Sequence, residues 1–156
     1  MAHIHEKYDF TVSVFVVYER KILFIHHKIL KKWLPIGGHI ELDEDPDQAL
    51  VREIKEECGL NAKDIKMLNK RPIGKFTGRK ILYTPFSIDV HLFKNDHKHI
   101  NFTYFAKSKT DKIKLSGEEH HDIKWINENE FDSPTYNLLP DIKFYAKEAL
   151  RRSTVK

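Results

Sequence analysis

Three glutamates, Glu53, Glu56 and Glu57, have a spacing that could do chemistry, because residues i, i+3 and i+4 share one face of a helix. Like charges at this spacing repel one another and cost a helix about a few tenths of a kcal/mol. One interpretation is a solvated face whose charges pair with Arg52 and Lys55. The other is a site for a hard divalent cation such as Mg²⁺, which prefers several carboxylate oxygens.

The helix that must carry these glutamates is predicted over residues 45–58. Asp45 is a suitable N-cap, Pro46 then occupies the first helical position, and Gln48 completes a capping-box pattern. Gly59 is a typical C-terminal stop. An apolar stripe lies beside the acidic face and predicts which side of the helix is buried; it consists of Leu50, Val51, Ile54 and Cys58.

Patterns of β-branched and aromatic residues predict the strands around this helix. The predicted strands are 9–18, 21–27, 65–68, 71–76, 86–93, 100–107 and 123–126, and a closing helix is predicted over 137–152. Segments 28–32, 33–38, 94–99 and 107–119 are predicted to be irregular because they are charged or contain Pro and Gly. Strands, helix, strands and helix in this order indicate an α/β (α+β) fold, with a mixed sheet covered by helices.

Composition sets broad limits on the protein. The 156 residues are 40% hydrophobic with a net charge of +4, which predicts one folded domain over residues 1–156. One cysteine excludes an intramolecular disulfide, and a reduced, cytoplasmic setting is expected. The first six residues lack the pattern of a secretion signal, and no apolar run is long enough to cross a membrane.

Residues 38–60 read GHIELDEDPDQALVREIKEECGL and resemble the signature of the Nudix hydrolase (MutT-like) family, G-x5-E-x7-R-E-U-x-E-E-x-G-U, where U is a bulky aliphatic residue. Every constrained position is filled, by Gly38, Glu44, Arg52, Glu53, Ile54, Glu56, Glu57, Gly59 and Leu60. One departure precedes the motif: the family often has Pro directly before its Gly-Gly pair, whereas here Ile36 stands there and Pro35 one position earlier. The resemblance implies a mixed sheet sandwiched between helices.

The resemblance also implies roles for the motif residues. Glu53, Glu56 and Glu57 would bind Mg²⁺, with Mn²⁺ as a substitute, and the Gly38 carbonyl would be a further ligand. Glu44 would pair with Arg52 and brace the loop against the helix. Either a motif glutamate or a later loop acid would be the general base. In the loop, Glu119 ranks slightly above Glu118, because a Glu-His pair (Glu119-His120) before the strand of Trp125 resembles the family.

The substrate implied by the resemblance is a nucleoside diphosphate linked to another group. Basic residues that could contact its phosphates are His26, His27, Lys28, His39 and Arg79, and Phe86 is a candidate aromatic platform. Nothing in the sequence chooses among ADP-ribose, an oxidised nucleoside triphosphate, a dinucleoside polyphosphate and a capped or triphosphorylated RNA end.

Two other functions compete with a nucleotide hydrolase. The basic balance suggests an RNA 5′-end pyrophosphohydrolase, but the chain has no long Lys/Arg run and no RNA-binding motif. A non-catalytic nucleotide-sensing module could share the scaffold, although such modules usually lack some metal-binding glutamates, and all three are present. Homodimers are frequent in the family, so a homodimer is an expected partner state.

The ten histidines include the groups His26-His27, His97-Lys98-His99 and His120-His121. None belongs to a C-x-x-C or H-E-x-x-H pattern, which would indicate zinc. We therefore expect them to be scattered surface side chains rather than metal ligands.

Overall fold

The fold is described here from a computed structural model, which covers residues 6–116 and 118–155. Residues 1–5, Gly117 and Lys156 lie outside this part of the chain. The expectation about a secretion signal falls on residues 1–5 and is therefore outside the described residues. Within the described residues, no helix is both long enough and apolar enough to cross a membrane.

The elements follow the order strands, helix, strands, helix that the sequence predicts. The strands are β1 Tyr8–Tyr18, β2 Lys21–His27, β3 Lys32–Leu34, β4 Ile36–His39, β5 Ile65–Met67, β6 Ser87–Lys94, β7 His97–Ser108 and β8 His120–Asn127. The helices are α1 Pro46–Cys58 and α2 Pro140–Ser153, and two single-turn 3₁₀ helices occur at Ala62–Asp64 and Glu128–Glu130.

The strands form one mixed sheet with helices on both faces, which confirms the predicted fold class. Its main path runs β3-β2-β1-β7-β5, with β4 paired to β1, β6 to β7 and β8 to β2. Only the β1–β7 pair is parallel among the described strands. Successive residues of β1 point to opposite faces, so Val14 and Val16 pack with α1 residues, whereas Phe15 and Val17 pack with α2 residues.

Helix α1 is capped as its sequence predicts, and its apolar stripe is buried except for Val51, which is 48% exposed. The Asp45 side chain accepts from Gln48 N at 3.1 Å, and the Gln48 side chain accepts from Asp45 N at 2.9 Å. Gly59 adopts a left-handed conformation with φ of 72°, and its N–H donates to Lys55 O. A capping box and a glycine stop therefore fix both ends of the helix that carries the acidic face.

The prediction of irregular structure over 33–38 is wrong, because β3 and β4 occupy this segment. Pro35 lies between the two strands, so it breaks neither ladder. The glycine pair continues in β4: Gly37 lies opposite Ser13 and Gly38 opposite Val12. A Cβ on Gly37 would lie 2.1 Å from Val12 O, so the close pairing of β4 with β1 requires glycine there.

Other segments also differ from the prediction; β8, for example, begins at His120 rather than at 123. Segment 71–76 is not a strand, since Pro72 lacks a donor and the chain turns to form an isolated bridge between Phe76 and Arg79. Segment 94–99 is mostly strand: β6 ends at Lys94 and β7 begins at His97, joined by a tight turn. Helix α2 begins at Pro140 rather than at 137, because Asn137 has a left-handed φ of 45°.

Candidate active site

Arg52 organises the acidic face of α1. Its Nε and Nη2 donate to the two oxygens of Glu44, at 3.0 and 2.6 Å. Its Nη1 donates to Glu53 Oε1 at 2.9 Å and to Glu56 Oε2 at 3.0 Å, and Nη2 also donates to His39 O at 2.9 Å. A planar guanidinium suits this bidentate pairing, so one side chain ties the loop before α1, strand β4 and two glutamates together.

Glu57 is held by contacts from β4 and β8. Its Oε2 accepts from Gly37 N at 3.0 Å, and its Oε1 lies 2.7 Å from His120 Nε2. Both Glu57 and His120 are buried, at 8% and 6% exposure. Strand β4 and the start of β8 therefore fix this carboxylate in a single orientation, whereas Glu56 extends into solvent with a side chain that is 60% exposed.

Burial and mutual repulsion change how these carboxyl groups ionise. Burial, followed by the nearby charge of Glu57, raises the pKa of Glu53 to about 7 despite its contact with Arg52. Burial also raises the pKa of Glu57, against the lowering effect of its contact with His120. The hydrogen bond from Arg52 lowers the pKa of Glu44, so this brace stays ionised. A cation at the face would favour the charged forms of Glu53 and Glu57.

The donor set fits a hard divalent cation. Glu53, Glu56 and Glu57 present carboxylate oxygens on one side of α1, and the backbone of Gly38 lies directly against Glu53. A Cβ on Gly38 would lie 2.3 Å from Glu53 Oε1, a distance that would force the carboxylate to move. Together these groups could hold a metal ion against a diphosphate and position a water for attack.

We expect Gly38→Ala to lower the turnover of a diphosphate substrate by about 10- to 100-fold, because the added methyl group displaces the Glu53 carboxylate. The measurement is kcat at saturating Mg²⁺. Gly78→Ala is the matched control, since a Cβ there meets nothing within 4 Å, although its φ of 70° costs some stability. Equal kcat for wild type and Gly38→Ala would contradict the close approach of this backbone to Glu53.

Both the sequence and the fold of the chain are similar to those of known proteins. The sequence profile of the NUDIX domain matches residues 7–148. The chain belongs to the Nudix family. It is 30% identical over 106 residues to a probable DHNTP pyrophosphohydrolase of Lactococcus lactis subsp. cremoris, a match that covers 68% of this chain but 58% of that protein.

Solved Nudix structures share the fold. A NUDIX-family hydrolase from Clostridium perfringens is 35% identical, with a TM-score of 0.80 over 92% of this chain and 96% of that one. The Ap4A hydrolase of C. elegans, solved as a binary complex, is 18% identical, with a TM-score of 0.63 over 94% of this chain and 95% of that one. The second likeness concerns the fold alone.

The structure places some of the predicted Nudix substrate residues beside the acidic face. The His27 ring contacts His120, whose other neighbour is Glu57, and His27 Nδ1 accepts from Ile29 N and Leu30 N. Lys28 N donates to Glu119 O at 3.1 Å, which joins the end of β2 to the loop before β8. His26 lies in a ring cluster with Trp33 and His121.

The other predicted substrate residues lie elsewhere. The His39 ring turns towards Asp9 and His99 instead of the glutamates, although the His39 carbonyl contacts Arg52. Arg79 is exposed in the turn after Phe76. Phe86 packs on Phe105 and Tyr145 below α2, so its ring contributes to the core. Their contacts with substrate remain predictions.

The candidate general bases lie on the loop that leads into β8. Glu118 and Glu119 are both exposed, and the charge of Glu119 is among the influences that raise the pKa of Glu57, after burial. Glu119 directly precedes His120, which contacts Glu57. Cys58 is buried and its Sγ contacts Ile54 O; burial raises its pKa to about 11, which suits a core residue and not a nucleophile.

Sequence reasoning missed several buried polar residues. His120 is predicted to be a surface histidine, yet it contacts Glu57 and is buried. On β1 and β7, the Asn101 side chain accepts from Thr11 and Ser13, each at 3.0 Å, and donates to Thr103 at 3.2 Å. Only the sheet register brings the polar groups of these two strands together, so no local pattern in the sequence signals them.

A cleft lies along another flank of α1, and its lining includes Arg52 but neither Glu53 nor Glu57. It has a volume of about 1040 Å³ and is bounded by α1, β5 and the segment before β6. That segment is tied to the start of α1, since Arg71 pairs with Asp47 and Lys80 pairs with Asp45, each at 2.7 Å. Lys80, next to Arg79 in the basic segment, therefore holds the start of α1.

Proposed function

We propose that this Nudix protein is a divalent-metal-dependent hydrolase that cleaves a diphosphate linkage in a nucleoside diphosphate joined to another group. The observation that carries this proposal is the acidic face of α1, where Arg52 and Gly37 orient three carboxylates beside the Gly38 backbone. Burying the neighbouring carboxyl groups of Glu53 and Glu57 is energetically unfavourable at a surface that binds nothing. A bound cation would offset this cost.

Glu53, Glu56, Glu57 and the Gly38 carbonyl would hold Mg²⁺, for which Mn²⁺ can substitute. The metal supplies charge neutralisation of the diphosphate oxygens and lowers the pKa of a bound water. Arg52 and Glu44 keep the helix and loop in register, and His120 keeps Glu57 oriented. Glu119, exposed on the loop that leads into β8, would take the proton of the attacking water, with a motif glutamate as the other candidate.

Small nucleotides are the proposed substrate class. The relative from Lactococcus lactis is named for DHNTP, the C. elegans neighbour for Ap4A, and a Shewanella oneidensis NUDIX domain was solved with ADP ribose. His27 at the end of β2 and the following Lys28 would contact the substrate phosphates, because the His27 ring packs on His120 and Lys28 N donates to Glu119 O. We further propose a cytoplasmic location, on the single cysteine, and a homodimer, on the family resemblance.

The test is hydrolysis of a panel that contains DHNTP, ADP-ribose, Ap4A, an oxidised nucleoside triphosphate and a 5′-triphosphorylated RNA. Each substrate is assayed with Mg²⁺, with Mn²⁺ and with a chelator. We expect metal-dependent cleavage at a diphosphate linkage of at least one small nucleotide. Preference for RNA, with binding that weakens steeply as salt increases, would instead favour the RNA-end function. Metal binding without any turnover would favour a sensing module.

A further inference from the structure

Four side chains, Asp9, His39, His97 and His99, meet at one end of the sheet, and we call them the histidine cluster. The parallel pairing of β1 with β7 places Asp9 opposite His99, and the pairing of β1 with β4 places His39 opposite Thr11. Side chains two residues apart on a strand share a face, so His97 and His99 point the same way. The cluster is separate from the three glutamates of α1.

Nitrogen and oxygen atoms converge in this cluster. One ligand atom each from Asp9, His39 and His99 lies within 4.8 Å of the other two. Asp9 Oδ2 is 3.4 Å from His39 Nε2 and 3.0 Å from His97 Nε2. Asp9 is 2% exposed and His99 7% exposed, so both are shielded from water. A buried carboxylate costs much free energy unless positive charge lies beside it.

His99 gives the clearest indication of a ligand. Its buried Nε2 has no hydrogen-bond partner within residues 6–116 and 118–155. Its ring stacks on Phe93, with centroids 4.5 Å apart, and meets the His39 ring edge-on at 4.9 Å. Packing therefore fixes the ring and leaves a buried nitrogen that needs a hydrogen-bond partner or a metal ion.

We propose that Asp9, His39 and His99 bind a transition-metal ion of the zinc class, at a second site distinct from the magnesium site on α1. Two imidazoles and one carboxylate are donors that Zn²⁺ accepts, whereas Mg²⁺ prefers oxygen atoms alone. His97 serves as the positioning residue for Asp9. Its Nδ1 lies 3.1 Å from the Glu6 carbonyl, which only accepts, so Nδ1 donates there and Nε2 faces the carboxylate.

An ion pair between His97 and Asp9 would explain the contact of these two residues. It would not explain why His39 and His99 also lie beside Asp9. His39 and His99 bring further ring nitrogens to the same carboxylate from β4 and β7. A metal ion there would join three strands, including β4, whose glycine pair borders the glutamates. The His39 carbonyl also accepts from Arg52, so the two sites share a strand and one hydrogen bond.

The experiment uses Co²⁺ as the probe, because tetrahedral Co²⁺ has an intense visible absorption that octahedral Co²⁺ at a carboxylate site lacks. In excess Mg²⁺, we expect the wild-type chain to bind one equivalent of Co²⁺ with the tetrahedral spectrum and Zn²⁺ to displace it. Zn²⁺ at about a hundred times its dissociation constant should raise the melting temperature by roughly 5–10 °C.

Variants assign the signal to residues. Asp9→Asn and His99→Gln should each weaken Co²⁺ binding by at least about tenfold. His121→Gln, a change at an exposed histidine, and Glu56→Gln, at the other site, should leave the spectrum unchanged. Because His99→Gln can disturb packing, the nearly isosteric Asp9→Asn is the deciding variant. The proposal is overturned if wild type shows no tetrahedral signal, if the signal survives in Asp9→Asn, or if Glu56→Gln removes it.

Discussion

Glu56→Gln is expected to reduce kcat by roughly a thousandfold while leaving the fold intact. The change removes one charged ligand of the proposed metal ion, and the loss of several kcal/mol of transition-state stabilisation corresponds to about this factor. The Glu56 side chain is 60% exposed, so its packing contribution is small and the melting temperature should stay within a few degrees of wild type. The measurement is kcat at saturating Mg²⁺ on the best substrate of the panel.

Asp43→Asn is the matched control for this prediction, because it removes the same charge from an exposed position on the loop before α1. We expect it to retain nearly all activity. Activity in Glu56→Gln equal to that of Asp43→Asn would show that the acidic face does not hold the catalytic metal. That result would contradict the proposed function, because the proposal rests on metal binding at this face.

Arg52→Lys is expected to lower kcat by about 10- to 100-fold and to reduce the free energy of unfolding by about 1–3 kcal/mol. Lysine keeps the charge, but it cannot donate at once to Glu44, Glu53, Glu56 and the His39 carbonyl. Glu53 and the loop before α1 would then lose their common support. Kinetics and urea unfolding on the same preparation measure both effects.

Arg151→Lys is a suitable comparison, since Arg151 also makes a bidentate contact, with Glu148, on the exposed face of α2. It should change neither kcat nor stability measurably, because exposed ion pairs contribute little. A second readout separates positioning from simple destabilisation: Mn²⁺ affinity should fall in Arg52→Lys even well below its melting temperature. Unchanged Mn²⁺ affinity would assign Arg52 a purely structural role.

The sequence was most informative where local chemistry decides the structure. Asp45, Gln48 and Gly59 mark the ends of α1, and the structure shows the capping contacts that these residue types predict. The same segment also carries the motif that places Glu53, Glu56 and Glu57 on one face. The Arg52–Glu44 pair, expected from the family resemblance, is present in the structure with two short hydrogen bonds.

Features that depend on distant pairing could not be predicted in this way. His120 looked like a surface residue, because the sequence does not show that β8 begins there and brings it to Glu57. His97 and His99 were assigned to a connection, yet a tight turn at residues 95 and 96 places both in β7, where the register brings His99 to Asp9. Likewise, Pro35 and the glycine pair suggested irregular structure, whereas ladder pairing with β1 and β2 imposes strands.

The most direct test of the central claim is to locate Mn²⁺ by its anomalous X-ray scattering in crystals of the chain grown with a non-hydrolysable diphosphate substrate analogue. We predict a Mn²⁺ peak bound to carboxylate oxygens among Glu53, Glu56 and Glu57, with the analogue's phosphates beside it. Mn²⁺ bound only at the histidine cluster, or analogue phosphates bound away from the acidic face, would contradict the claim that this face is the active site.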